Sequence, residues 1–99
     1  SDMKIFVSEN ELKILQDIFK EHPNAYLFGS RTTGRHKQYS DLDVCFIREN
    51  ETSDLEISLL KENCEESALP FTVDIIDYHK ISDDFKKVIE STKVPFPYE

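Results

Sequence analysis

The residues of this chain best able to do chemistry form two small groups, Gly29-Ser30 and, after ten intervening residues, Asp41-Leu42-Asp43. Two positions along an extended strand span about 6.5–7 Å, so Asp41 and Asp43 can aim their carboxylates at one point and clamp a hard divalent cation. A third carboxylate, Asp74, stands among apolar neighbours in the run Phe71-Thr72-Val73-Asp74-Ile75-Ile76-Asp77. An ionised aspartate buried there alone would be costly, whereas a strand paired beside the first two acids would let Asp74 complete a three-acid site. Glycine lets backbone N–H groups come close to a phosphate, and a serine hydroxyl can donate to the same oxygens. Phosphate donors facing cation-binding acids define a phosphoryl-transfer site, where positioning and charge neutralisation do most of the chemistry. An Asp-x-Asp alone is usually a solvated strand end, and the joint spacing with Gly-Ser is what raises these residues above that reading.

These groups need elements to hold them. Ser8 followed by Glu11 is a capping box, with Val7 and Leu12 spaced as a hydrophobic staple, which predicts a helix from about Glu9 to just before Pro23. Leu12, Leu15 and Phe19, joined by Ile14 and Ile18, give it one apolar face. Ala25-Tyr26-Leu27-Phe28 reads as a buried strand that delivers Gly29-Ser30, and residues 31–39 read as a polar loop with room for one helical turn. Leu42, Val44 and Phe46 alternate with Asp41, Asp43, Cys45 and Ile47, the two-residue period of a strand that places both aspartates on one face. Ser53 and Glu56 form a second capping box for a helix to about Glu66, with Ile57, Leu60 and Cys64 inward. Residues 71–77 read as a third strand, and Ser82 caps a last helix with Phe85, Val88 and Ile89 inward and Asp83 and Asp84 at its positive end. The tail 94–99, with Pro95 and Pro97, is expected to be extended. The order helix, strand, strand, helix, strand, helix implies an α/β (α+β) fold, a small mixed sheet flanked by helices.

A chain of 99 residues fits one compact domain spanning 1–99, in which Ser1-Asp2 before Met3 is read as a cloning remnant, and a core this small would gain from a partner subunit or from self-association as a homo-oligomer. Twenty acidic against twelve basic residues leave a net charge of −8, so the phosphate backbone of free nucleic acid would be repelled over most of the surface. No run approaches the roughly 20 apolar residues of a membrane span and none resembles a signal peptide, which points to a soluble, cytoplasmic protein. Cys45 and Cys64 lack the spacing of a disulfide framework or a zinc motif and are expected to be reduced, partly buried thiols. The acidic series Asp54, Glu56, Glu62, Glu65 and Glu66 reads as a solvated helix face, while His22, His36 and His79 receive no role.

The segment from Gly29 through Gly-Ser-Arg-x-x-Gly to Ser40-Asp41-Leu42-Asp43 resembles the GS-x10-D-x-D signature of the DNA polymerase β-like nucleotidyltransferases, above all their minimal nucleotidyltransferase (MNT) branch. The resemblance extends from Leu12 to about Ile89, and the strand containing Asp74 is similar to the family's third-carboxylate strand. It implies that Gly29 and Ser30 contact the triphosphate of ATP, that Asp41 and Asp43 bind two Mg²⁺ ions, and that Asp74 ligates the catalytic metal and activates the acceptor hydroxyl. Asp74 is preferred to Asp77 on strand parity, since Asp77 shares the face of Phe71, Val73 and Ile75. Arg31, with Arg35 and Lys37, is placed to reach triphosphate oxygens as a mobile cation. Where many members carry an Arg-Pro-Asp-like stretch, this chain has His36-Lys37-Gln38-Tyr39. In the MNT branch the resemblance further implies a helical HEPN-domain partner and an antitoxin role, with AMP passed from ATP to a hydroxyl of the partner. A small-molecule acceptor such as an aminoglycoside and a non-catalytic antitoxin acting by occlusion are the competing readings.

Overall fold

A computed structural model describes residues 5–99; the pair Ser1-Asp2 lies outside the described residues. Its first helix, α1 (Glu9–Phe19), begins where its cap dictates: Glu11 N donates to Ser8 Oγ at 3.1 Å and Ser8 N donates to Glu11 Oε1 at 2.8 Å. The chain then enters β1 (Ala25–Phe28), a short helix α2 (Ser30–Thr33), β2 (Leu42–Phe46), α3 (Asp54–Glu65) and β3 (Val73–Asp77). A single 3₁₀ turn over Tyr78–Lys80 leads to α4 (Asp83–Thr92) and a two-residue strand β4 (Val94–Pro95).

The strands form one mixed sheet in the order β3-β2-β1-β4. β1 and β2 run antiparallel, with Phe28 opposite Asp43, whereas β2 and β3 run parallel because α3 carries the chain back across the sheet. Period-two alternation then sorts the side chains. Ala25, Leu27, Leu42, Val44, Phe46, Val73 and Ile75 pack on one face against Leu15 and Phe19 of α1, Leu60 and Cys64 of α3, and Phe96. The other face is covered only in part, by a smaller cluster of Phe28, Cys45 and Ile89 with Ile47, Ile76, Tyr78 and Ile81 beside it. Beyond that cluster, Asp43 is half-buried and Asp74 is exposed. A four-stranded sheet with helices on both sides is the α/β architecture expected from the sequence, and among the described residues no helix is long and apolar enough to cross a membrane.

Several local expectations are corrected. The third strand begins at Val73 rather than Phe71, and the Phe71 ring before it lies under the guanidinium of Arg31, 4.3 Å from ring centroid to Cζ. The second capping box is only half made. Ser53 Oγ accepts from Glu56 N, but the Glu56 carboxylate turns away to receive both Arg48 Nη1 at 3.0 Å and Arg48 Nη2 at 2.9 Å, so Glu56 is no solvated helix residue. On α4 only Ile89 is fully inside; Val88 is 50% exposed and Phe85 38%, the latter meeting the ring of Phe28 edge-on. The tail is extended as expected yet is no loose end, since β4 pairs with β1 and Phe96 is buried.

Candidate active site

The two groups singled out in the sequence meet at one end of the β1–β2 ladder. Gly29 leaves β1 with φ 85° and ψ −156°, a conformation essentially restricted to glycine. A β-carbon built there would collide with Asp43 Oδ2, so the absence of a side chain is what allows the β1–α2 turn to lie against the carboxylate. Ser30 opens α2, and Gly34 closes that helix in the left-handed region with its N–H donating to Ser30 O at 3.0 Å. Thr32 Oγ1 bonds both Gly29 O and Thr92 O, which ties the turn to the end of α4.

On the other side of β2, Asp43 is the register partner of Asp74 in the parallel pair. Both lie on the partly covered face, together with Asp41 one residue before the strand. The consequence is electrostatic. The Asp43 carboxyl is pushed up to about 6, first by burial and then by the charges of Asp74 and Asp41. Asp77, the alternative third acid, points the opposite way into the structure: it is buried, and its carboxylate accepts from Thr52 N at 3.1 Å and His79 N at 3.2 Å. Strand parity therefore separates the two acids, leaving Asp74 beside Asp43 and giving Asp77 a structural task.

Three aspartates offer hard oxygen donors, the set that suits Mg²⁺. The charges of Asp74 and Asp41 add to burial in raising the Asp43 carboxyl, and a divalent cation would relieve that repulsion. Among the described residues no three Asp, Glu, His or Cys side chains stand gathered as a finished ligand cage. Asp41 and Asp74 are exposed, and Asp43 between them is half-buried.

Arg31 departs from its expected role. It is 4% exposed, and its guanidinium donates to Ser40 O at 2.9 Å, Phe6 O at 2.8 Å and Gln38 O at 3.0 Å. A group so committed is no mobile cation for triphosphate oxygens. Arg35 and Lys37 remain exposed. His36 packs its ring on Phe6 at 5.3 Å, and His22 and His79 make hydrogen bonds to Glu56 and to Arg48 O remote from the aspartates. Both cysteines are buried and free, and burial pushes the Cys45 thiol up to about 12 and Cys64 to about 11, which keeps them protonated and unreactive. A hollow between α1 and the tail is lined by Lys13, Gln16, Asp17, Lys20, Tyr98 and Glu99 and includes none of the three aspartates.

Comparison with known proteins gives a consistent result. The sequence profile of the family described as polymerase beta, nucleotidyltransferase matches residues 5–96. A probable protein adenylyltransferase MntA of Haemophilus influenzae is 37% identical over 91 residues, covering 89% of this chain and 80% of the relative. Among solved structures, a chain of a toxin–antitoxin complex with AMP-PNP superposes with a TM-score of 0.70 at 20% identity, covering 89% of this chain and 73% of that one. A chain from the complex of tri-AMPylated Shewanella oneidensis HEPN toxin with MNT antitoxin gives a TM-score of 0.60 at 22% identity over 91% of this chain and 71% of that one. At such identities the structural likeness concerns the fold.

Proposed function

Since this chain belongs to the polymerase β nucleotidyltransferase family and is a nucleotidyltransferase, we propose that it transfers the adenylyl group of ATP to a hydroxyl of a helical HEPN-type partner and so acts as the antitoxin of a toxin–antitoxin pair. The observation that carries this reading is the register of Asp43 beside Asp74, with Gly29 packed against the same Asp43 carboxylate. In this reading Gly29-Ser30 serves as the phosphate-binding turn and the aspartates beside it as the cation-binding acids. Protein adenylylation and the HEPN partner are carried over from the adenylyltransferase relative and the toxin–antitoxin complexes that share the fold.

In this reading Gly29 and Ser30 orient the triphosphate through backbone N–H groups and the serine hydroxyl. Asp41, Asp43 and Asp74 would hold Mg²⁺, which when bound neutralises the triphosphate and the departing pyrophosphate. Asp74, exposed at the rim, accepts the proton of the acceptor hydroxyl. The acceptor oxygen bonds to the α-phosphorus as the bond to the β-phosphate oxygen breaks and pyrophosphate leaves. The cluster around Ile89 of α4 reaches Phe28, Cys45 and Ile76 and does not include Asp43 or Asp74, which supports an acceptor approaching from that face. A cytoplasmic setting, where ATP is abundant, belongs to the same reading.

The test is transfer of label from ATP marked at the α-phosphate to the co-expressed helical partner. Label on the partner that needs Mg²⁺ and disappears when Asp41→Ala and Asp43→Ala are combined supports the reading. Undiminished partner binding by that double variant, with no label from the wild type, would replace it with occlusion alone.

A further inference from the structure

The site as proposed depends on where Asp41 stands, yet Asp41 precedes β2 and follows a segment, 35–40, that belongs to no helix or strand. Something must fix it. Arg31 is the residue in position to do so. Its Nε donates to Ser40 O, the carbonyl of the peptide bond into Asp41, and its Nη2 donates to Gln38 O. Nη1 reaches in the other direction to Phe6 O, while Phe6 N donates back to Arg31 O at 2.8 Å. The guanidinium plane lies over Phe71, which precedes the strand that carries Asp74. Arg31 itself follows Ser30 in α2. One buried side chain therefore touches, or is covalently next to, all three parts of the site: the Gly29-Ser30 turn, the approach to Asp41 and Asp43, and the approach to Asp74.

The geometry assigns Arg31 as a positioning residue that sets Asp41 relative to Gly29-Ser30, with no contact to nucleotide. This rests on the adenylyl-transfer reading of the site. A planar guanidinium suits the task because it can donate to three carbonyls in fixed directions while stacking on an aromatic ring, which a lysine ammonium cannot reproduce. Part-buried carbonyls deprived of it would have to find water, and the segment that leads into Asp41 would lose its anchor. Displacement of a catalytic group by about 1 Å is enough to reduce a rate on the order of 100-fold.

The experiment compares Arg31→Ala and Arg31→Lys with the wild type and with Phe19→Leu, a core change under the opposite sheet face that lowers stability without touching this segment. Two quantities are read well below each melting temperature: steady-state transfer with the partner, and amide hydrogen exchange along the chain without ATP. The expected result for both Arg31 variants is a kcat lower by about 100-fold with the KM for ATP within about 3-fold, because transition-state geometry is lost and ground-state binding is not. Exchange should accelerate over residues 36–41 and stay slow in β1 and β3, while Phe19→Leu keeps its kcat. Millimolar guanidinium, far below denaturing concentration, should restore part of the kcat of Arg31→Ala only. Unchanged exchange over 36–41 would overturn the assignment, as would a retained kcat with a raised KM for ATP, which would mean that Arg31 meets the nucleotide after all. Should Arg31→Ala fail to fold, Arg31→Lys decides by the same two readouts. A wild type that transfers nothing would sink the adenylyl-transfer reading, and the exchange pattern would still decide whether Arg31 fixes the segment.

Discussion

Gly29 and Asp43 sit so close across the β1–β2 ladder that no β-carbon fits between them. Their contact joins the two halves of the sequence signature. It also gives glycine two independent reasons to be at position 29, a positive φ and a steric limit.

Gly29→Ala is therefore expected to fail on both counts. Forcing a β-carbon into that conformation costs on the order of 1–3 kcal/mol, and relief of the clash must push the Asp43 carboxylate away from its place. Transfer should fall by at least about 100-fold while the protein remains folded at low temperature. Urea denaturation alongside the label-transfer assay separates the effects. Wild-type activity in Gly29→Ala would mean that the close approach has no part in catalysis.

Asp43→Asn should trade activity for stability. The folded carboxyl titrates at about 6, above its ordinary value near 3.8, so ionisation opposes folding and stability is lost as pH rises through this range. Removing the charge should stabilise the Mg²⁺-free protein at neutral pH by about 1 kcal/mol, after discounting a half-solvated group, which is several degrees in melting temperature for a domain of this size. Transfer should be abolished, and the rise in melting temperature that Mg²⁺ with ATP gives the wild type should shrink. A variant less stable than the wild type in EDTA would contradict the burial and repulsion on which this rests.

What could be read ahead of the structure follows physical range. The capping box at Ser8, the alternation around Asp43 and the parity that sets Asp74 apart from Asp77 are local patterns, and the structure repeats them. What escaped was tertiary. Nothing near Arg31 in sequence reveals that Phe6, Gln38 and Ser40 converge on it, so its charge reads as a free cation. Glu56 looks like a capping partner until Arg48 competes for it with two donors, and Phe85 and Val88 share the helical period of Ile89 although only Ile89 is fully buried. Val94 and Pro95 carry no signal of a strand because a two-residue pairing is decided by the free edge of β1.

The Glu56 network predicts an acid limb in stability. Arg48 donates twice to Glu56, His22 Nδ1 lies 2.8 Å from it, and the Arg48 hydrogen bonds, foremost, hold the carboxyl down to about 2. A carboxyl lowered in the folded state adds stability that is complete above its unfolded value near 4.5 and is lost as pH falls toward 2. Solvent reaches a quarter of the Glu56 side chain, so the contribution is set at about 1 kcal/mol rather than the full shift. Glu56→Gln should lower stability by that amount at pH 7 and by much less at pH 2.5, flattening the acid limb. Parallel pH profiles for the two proteins would show that the pair contributes nothing measurable.

The C-terminal segment should matter more than its length implies. Phe96 is 3% exposed and packs on Phe19 with ring centroids 5.0 Å apart, Phe96 N donates to Ala25 O at 3.0 Å, and Tyr98 Oη accepts from Ala25 N at 3.0 Å while donating to His22 O. These contacts cover the edge of β1, the strand that delivers Gly29 to the site. Phe96→Ala is expected to cost about 3–5 kcal/mol, the range for a fully buried aromatic, a large part of the stability of so small a domain. Tyr98→Phe keeps the ring and removes only two hydrogen bonds, for a loss of about 1–2 kcal/mol. Because the edge and the site share β1, deletion of residues 94–99 should reduce transfer together with stability, whereas Tyr98→Phe should keep wild-type transfer below its melting temperature. A deletion variant as stable and active as the full chain would mean that β4 is a passenger on the sheet.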